Sequence, residues 1–178
     1  MRRPPMNEKF NAWTDMKKND LVWYACYGSN LCADRFMRYI ERCADHTPPR
    51  DSKPVIIPHK LYFAKASAKW ENKAVAFVEP LPVEGVRTLG RAYLISKEQF
   101  ADIQLMECGQ SKKGWYRHEL KLGVIGKYPI SCFTSPGILA ANNPSEKYLD
   151  VIRKGLRETW PELGREAHEK YLADLLNG

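Results

Sequence analysis

From Leu21 to Cys26 the chain reads Leu-Val-Trp-Tyr-Ala-Cys, an unbroken apolar run that stops abruptly at Tyr27-Gly28-Ser29-Asn30. Such a run, with β-branched and aromatic members and a turn cluster at its end, predicts a strand buried on both faces. Leu31 to Ile40 changes to helical spacing. Phe36, Met37, Tyr39 and Ile40 supply a surface to pack back on the sheet, and Leu31, Arg35 and Arg38 lie along one side. Strand, tight glycine turn and helix in succession converge backbone N–H groups on one point, and such a point attracts anions. Gly28 permits backbone conformations closed to other residues and leaves room beside it for a ligand. Ser29 and Asn30 add side-chain hydrogen-bonding groups.

Beyond the helix, Asp45 to Pro58 carries Pro48, Pro49, Pro54 and Pro58, which predicts an irregular connection with a short edge strand at Val55 to Ile57. Leu61 to Ala66, Ala74 to Val78 and Arg91 to Ile95 read as strands, separated by turns at Glu71-Asn72 and Pro80 to Gly85. Successive strands without helices between them imply antiparallel pairing that curls into a small barrel. Ser96 and Gln99 form a Ser-x-x-Gln capping box, and Gly109 stands where a helix C-terminal glycine belongs, so a helix spans this interval. Trp115 to Leu122 alternates, with Trp115, Arg117, Glu119 and Lys121 toward water and Tyr116, His118, Leu120 and Leu122 inward. A further strand is expected over Tyr128 to Thr134. Ser145 caps a helix from Glu146 to about Trp160, with a stripe of Leu149, Ile152, Leu156 and Trp160. Pro161 ends it and opens a last helix with Leu163, Ala167, Tyr171 and Leu175 at helical spacing. The class is α+β.

At 178 residues the chain suits one domain, assigned to 21–178, preceded by an N-terminal arm over 1–20. A net charge of +7 favours anionic partners. The basic residues are interspersed with acidic ones, without a long Lys/Arg block, zinc-finger or RNA-recognition pattern, which argues against nucleic acid. No apolar run approaches about 18 residues, so no membrane span is expected, and Met1 to Asp20 lacks the apolar core of a secretory signal. Cys26, Cys32, Cys43, Cys108 and Cys132 are odd in number and irregularly spaced, which fits reduced thiols in a cytoplasm better than a disulfide framework. No cysteine pair has metal-ligand spacing and the histidines join no Cys or acidic cluster, which argues against a zinc site.

One acidic residue stands out. Phe100, Ile103 and Glu107 occupy i, i+3 and i+7 of one helical face, so Glu107 takes a place where an apolar residue is expected. Burial and the negative end of the helix dipole both raise a carboxyl pKa, and a carboxylate so placed is a candidate proton carrier near neutral pH. The alternative is a Glu107 turned to solvent or paired with a base such as Arg117. Tyr116, facing inward, needs a partner for its hydroxyl. His118 reads as a core histidine. Tyr148, in the first turn of the late helix, either packs or leans over a cleft.

Tyr27-Gly28-Ser29-Asn30-Leu31 after a hydrophobic strand, Glu107 closing a helix, Tyr116 entering the next strand and Pro144-Ser145-x-x-Tyr148 opening the late helix together resemble the γ-glutamylcyclotransferase-like family, relatives of the γ-glutamylamine cyclotransferases. The match extends from Val22 to Tyr148. In one respect it departs: Cys108 separates Glu107 from Gly109, where the family pattern puts glutamate beside glycine. The resemblance implies a small, mostly antiparallel β-barrel with flanking helices, needing neither cofactor nor metal. Tyr27, Gly28, Ser29, Asn30 and Leu31 would form the loop binding the glutamyl part of a small-molecule substrate. Glu107 would be the acid/base catalyst, and Tyr116 and Tyr148 would enclose the substrate. The implied reaction releases 5-oxoproline from a γ-glutamyl amide or peptide by attack of the substrate's own α-amine, with no covalent enzyme intermediate. Two other readings remain open: a non-catalytic module that binds a small anion or an acidic partner on the same fold, and a serine hydrolase on Ser29, for which Gly-x-Ser-x-Gly is absent.

Overall fold

The computed structural model describes residues 20–108 and 114–178. The N-terminal arm, save Asp20, and the helix-ending Gly109 lie outside the described residues. Strand β1, Leu21–Cys26, buries all of its residues. It is the middle strand of a five-stranded sheet in the order β2-β5-β1-β7-β6, which explains a run with no polar position. β1 pairs antiparallel with β5, Thr88–Ser96, and parallel with β7, Tyr128–Thr134. The outer pairs, β2 (Asp51–Ile57) on β5 and β6 (His118–Ile125) on β7, are antiparallel. A separate antiparallel hairpin, β3 (Leu61–Ser67) and β4 (Lys73–Val78), turns through Glu71 and Asn72 in left-handed conformation at φ 59° and 55°. Thr134 ties the hairpin to the main sheet. Its hydroxyl donates to the Val78 carbonyl at 2.6 Å and accepts from the Val78 N–H at 3.2 Å. Both sheets share one hydrophobic core.

Helix α1, Ala33–Ile40, buries Phe36 and Ile40 against this core. The Phe36 ring lies 3.9 Å from that of Tyr93 on β5 and 5.4 Å from that of Tyr24 on β1, a stack that fixes the helix to the sheet. Burying such a ring contributes about 2–3 kcal/mol. Helix α2, Lys97–Cys108, begins at the expected capping box: the Gln99 N–H donates to Ser96 Oγ at 3.1 Å and the Ser96 N–H to Gln99 Oε1 at 3.0 Å. Helix α3, Glu146–Thr159, is capped by Ser145, whose Oγ accepts from the Tyr148 N–H at 3.1 Å. Helix α4, Gly164–Asn177, ends the chain's ordered elements.

Four local expectations need correction. β2 is a full strand, longer than Val55 to Ile57; Pro54 is tolerated because β2 is an edge strand. β5 starts at Thr88, ahead of Arg91. β6 begins only at His118, so Trp115 and Tyr116 precede the regular alternation and Trp115 is half-buried instead of facing water. In α4 the buried positions are His168 and Leu172, while Ala167 is exposed. The phase is reset by the 3₁₀ turn Pro161–Leu163 and by Gly164 at φ 79°, and His168 Nε2 bonds the Trp160 carbonyl at 2.8 Å. All five cysteines are free thiols, and among the described residues no helix is long and apolar enough to cross a membrane.

Gly155 of α3 lies against the turn that follows β1. A Cβ there would fall 2.3 Å from Leu31 Cβ, 2.5 Å from the Leu31 carbonyl carbon and 2.6 Å from the Cys32 nitrogen. Two of these atoms are backbone, so the helix must back away if any side chain is added. In an exposed helix, Gly→Ala stabilises by roughly 1 kcal/mol; here overpacking, typically about 1–3 kcal/mol, should win and reverse the sign. Gly155→Ala is expected to lower unfolding free energy in urea titrations. An equal or higher midpoint would show that the approach is not tight.

Candidate active site

β1 delivers the chain to a turn at its C-terminal end. Gly28 adopts φ −112°, outside the left-handed region, so crowding and not backbone angle demands glycine there. An added Cβ would stand 2.7 Å from the Tyr148 hydroxyl oxygen and 3.3 Å from Ala76 Cβ. The room expected beside Gly28 is thus already taken by Tyr148. Ser29–Leu31 then forms a single 3₁₀ turn, with the Leu31 N–H donating to the Gly28 carbonyl at 3.1 Å and the Cys32 N–H to the Ser29 carbonyl at 3.2 Å. Tyr93 on β5 holds the turn from below by donating its hydroxyl to the Asn30 carbonyl at 2.7 Å.

Asn30 points inward and is buried. Its Nδ2 donates to the Tyr24 hydroxyl at 3.1 Å and reaches Glu107 Oε1 at 3.5 Å, while its Oδ1 is buried without a protein partner among the described residues. Glu107 is half-buried in the last turn of α2. Desolvation pushes its carboxyl from an ordinary 4.5 up to about 7, against the opposing pull of a hydrogen bond from Tyr39, the charges of Lys69 and Arg35, and the bond from Asn30. The same carboxylate helps raise the phenols of Tyr24, Tyr27, Tyr39, Tyr116 and Tyr148, after burial itself, so all are neutral hydrogen-bonding groups at neutral pH.

The opposite wall comes from the hairpin. Tyr116 donates to the Ala76 carbonyl at 2.7 Å and stacks on Phe77 at 4.6 Å; Tyr148 accepts from the Ala76 N–H at 3.0 Å. Two tyrosines from distant elements thereby clamp one β4 residue. A phenol also carries one donor, and with the Ala76 N–H on its oxygen the Tyr148 O–H is directed elsewhere. Tyr27 donates to the Phe133 carbonyl at 2.6 Å, anchoring the strand end to β7.

These groups surround one cavity of about 230 Å³. Tyr27, Gly28, Ser29, Asn30, Glu107, Tyr116 and Tyr148 all line it; Leu31 does not, being fully buried behind the turn with its carbonyl accepting from Arg91 at 3.0 Å. Arg35 and Tyr39 of α1, Lys69 and Trp70 of the hairpin turn, and Trp115 join the lining without having been singled out for the site. Tyr39 carried a signal: a hydroxyl set within the apolar face of α1. The volume is below the roughly 300–1,000 Å³ of drug-sized sites, and suits a ligand the size of an amino acid. Among the described residues no group of three or more His, Cys, Asp or Glu could hold a metal ion.

No family model matches the chain. Among curated proteins it is 28% identical to Histone deacetylase 5 of Arabidopsis thaliana over an alignment of 210 positions, covering 90% of this chain and 32% of that protein. The chain thus spans about a third of that relative's length. Among solved structures it resembles a gamma-glutamyl cyclotransferase at TM-score 0.63 and 20% identity, over 86% of this chain and 88% of that one. The uncharacterized protein loc79017 from Homo sapiens gives TM-score 0.63 and 20% identity over 87% and 88% of the two chains. YkqA from Bacillus subtilis gives 0.57 and 19%, over 94% of this chain and 58% of YkqA. The fold is therefore γ-glutamylcyclotransferase-like, α+β and mostly antiparallel.

The raised Glu107 carboxyl has a measurable effect on stability. Between pH 4.5 and about 7 the folded protein holds this proton and the unfolded chain does not, so stability falls as pH rises through that window. Below it both states are protonated and above it both are ionised, so neither side contributes a slope. Glu107→Gln removes the term: relative to the parent, the variant should gain roughly 2–3 kcal/mol between pH 4.5 and 7. Urea titrations at stepped pH measure this difference, and parallel curves for the two proteins would rule out a buried, raised carboxyl.

Proposed function

We propose that this chain is a γ-glutamyl cyclotransferase. It takes a small γ-glutamyl amide or peptide and releases 5-oxoproline and the attached amine. One observation carries the reading: a carboxyl pushed up to about 7 shares a single amino-acid-sized cavity with the Gly28–Asn30 turn.

A γ-glutamyl amide contains its own nucleophile. The glutamyl chain, held bent, brings its α-amine onto the γ-carbonyl carbon, and intramolecular attack of this kind gains several kcal/mol from orientation alone. Glu107 takes a proton from the α-ammonium, and the freed nitrogen lone pair forms the new C–N bond as the carbonyl π electrons move to oxygen. The tetrahedral intermediate collapses, the old C–N bond breaks, and the departing nitrogen receives that proton from Glu107; the second surplus proton of the ring nitrogen then passes through the same carboxylate to the freed amine, which leaves as an ammonium. The carboxylate is regenerated and no bond to the enzyme is formed. A base and acid with pKa near the working pH contributes typically about 10²- to 10⁴-fold.

The other groups fit this sequence. The buried Asn30 Oδ1, without a protein donor among the described residues, suits the substrate ammonium. The Tyr148 O–H, whose oxygen accepts from the Ala76 N–H, is left to donate to the developing oxyanion. Ser29 is not needed as a nucleophile. The unpaired thiols suit a reducing compartment, which we take to be the cytoplasm.

Incubation with a panel of γ-glutamyl compounds, with 5-oxoproline read by mass spectrometry, tests the reading. Turnover is expected, with kcat/KM rising about tenfold per pH unit below pH 7 and levelling above it, because the base must be ionised. Glu107→Gln should lower kcat at least 100-fold while still binding substrate. Binding by both proteins with no turnover by either would instead favour a non-catalytic module.

A further inference from the structure

The turn at the end of β1 and the helix that follows it are two separate hydrogen-bonded units. In the 3₁₀ turn the carbonyls of Gly28 and Ser29 accept from the N–H groups of Leu31 and Cys32, whereas α1 begins with the Cys32 carbonyl accepting from Arg35 and Phe36, each at 3.1 Å. Cys32 stands between the two in extended conformation, φ −75° and ψ 118°, so the ladder skips two carbonyls. Those of Asn30 and Leu31 receive no backbone N–H among the described residues. Both residues are buried, and a buried carbonyl left unpaired is costly.

Strand β5 supplies both missing donors. Arg91 and Tyr93, alternate residues on one face of the strand, stand opposite Cys26 and Tyr24 of β1. Tyr93 donates its hydroxyl to the Asn30 carbonyl at 2.7 Å, and Arg91 Nη1 donates to the Leu31 carbonyl at 3.0 Å. Each donor is itself fixed. The Tyr93 ring stacks on Phe36 at 3.9 Å and carries the Arg91 guanidinium at 4.8 Å. That guanidinium also donates to Glu158 Oε2 of α3 at 2.9 Å and to Ser52 Oγ of β2 at 3.1 Å. Glu158 Oε2 in turn accepts from the Ala33 N–H at 2.9 Å, so the ion pair grips the chain on both sides of Cys32.

What these contacts aim is the Asn30 side chain. Tyr24 and Tyr93 are directly opposite one another, and their phenols hold Asn30 at both ends, Tyr93 by the backbone carbonyl and Tyr24 by Nδ2 at 3.1 Å. The same Nδ2 faces Glu107 Oε1 at 3.5 Å, which leaves Oδ1, without a protein donor among the described residues, as the atom presented to the substrate ammonium. A contact of 3.5 Å is at the outer limit of a hydrogen bond, and a small shift of the Asn30 backbone breaks it.

Resting on the cyclotransferase reading, we propose that Tyr93 and Arg91 are positioning residues for the reaction: from β5 they hold the Asn30 and Leu31 carbonyls and thereby aim the Asn30 amide at Glu107 and at the substrate ammonium. Neither residue lines the cavity. Their effect passes through Asn30 in two ways. The placement of Oδ1 sets the approach of the ammonium, and the Nδ2 donor favours the charged form of the Glu107 carboxyl and so eases its ionisation. Tyr39, Lys69 and Arg35, the other groups that draw this carboxyl toward ionisation, are not themselves altered when a β5 side chain is trimmed.

Tyr93→Phe keeps the ring stack and removes only the hydroxyl. Assayed on γ-glutamyl-alanine well below its unfolding temperature, it should lose about 10- to 100-fold in kcat/KM per folded molecule. The midpoint of its kcat/KM profile should also move upward from about 7, because the Asn30 donor no longer favours the ionised carboxylate. Arg91→Met, which keeps the stem over Tyr93 and removes the fork, should move both readouts the same way by less, and it keeps the test decisive should Tyr93→Phe fail to fold. Arg91→Lys restores one donor and should recover part of the loss. Trp160→Phe is the control for stability alone: it removes the 3.1 Å bond from Nε1 to the Gly90 carbonyl of the same strand, and should lower the urea midpoint with kcat/KM and its pH midpoint unchanged. Tyr93→Phe or Arg91→Met with kcat/KM within about twofold of the parent and an unmoved pH midpoint, or an equal loss in Trp160→Phe, would overturn the positioning role and leave the cyclotransferase reading standing. No 5-oxoproline from the parent would sink that reading alone. Calorimetric binding of γ-glutamyl-alanine to Glu107→Gln, with and without Tyr93→Phe, then decides the positioning claim, weaker binding by the double variant upholding it and equal binding overturning it.

Discussion

The close approach of α3 to the turn after β1 is the constraint on which the site depends. At Gly155 there is no space for a Cβ against Leu31 and Cys32, and at Gly28 none against Tyr148 and Ala76. The two glycines lie on opposite partners of one contact. Together they let a helix from late in the chain press the turn until the Tyr148 hydroxyl meets Gly28 and reaches the Ala76 N–H. The turn is also held from the sheet side by Tyr93 on the Asn30 carbonyl and from the core side by the Tyr24–Phe36–Tyr93 stack. Its geometry is over-determined, as pre-organised binding of a small ligand requires.

Glu107 shows the opposite economy. A carboxyl with a pKa near 7 is one whose ionised form the fold disfavours, and the surrounding groups offset only part of the desolvation. A core built for stability alone would place an apolar side chain there, next to Ile103 and Phe100 on the same helical face. Tyr39, Asn30, Lys69 and Arg35 moderate the shift enough to keep the group titrating near neutrality. Stability is conceded at the point where proton transfer gains from it.

Much of this architecture was legible because local signals and tertiary demand agree. The apolar run of β1 reflects burial between β5 and β7, and the Ser96/Gln99 and Ser145 caps mark helix starts by hydrogen bonds that form as written. Tyr27 to Asn30, Glu107, Tyr116 and Tyr148 come together on one cavity from four stretches of sequence. What sequence could not give was decided by neighbours. Pro54 suggested loop, but an unpaired edge absorbs its missing N–H; Trp115 followed the alternation of β6, but precedes the strand. Gly155 read as one residue of an amphipathic helix, and nothing local announces that another backbone lies against it. Arg35 and Lys69 are charges among many, and only the fold places them across one opening.

The tyrosines explain why so small a cavity can handle charge. Tyr24, Tyr27, Tyr116 and Tyr148 surround it with phenols that burial holds neutral, so the walls supply hydrogen bonds without adding net charge. Most of these hydroxyls are already committed: Tyr27 to Phe133, Tyr116 to Ala76, Tyr24 to Asn30. The ionic groups left to respond are Glu107, Arg35 and Lys69, and a frame of fixed neutral dipoles lets those few charges act at low effective dielectric, where each is felt more strongly than in water. Selectivity in such a site follows from the placement of a handful of charges around a rigid neutral wall.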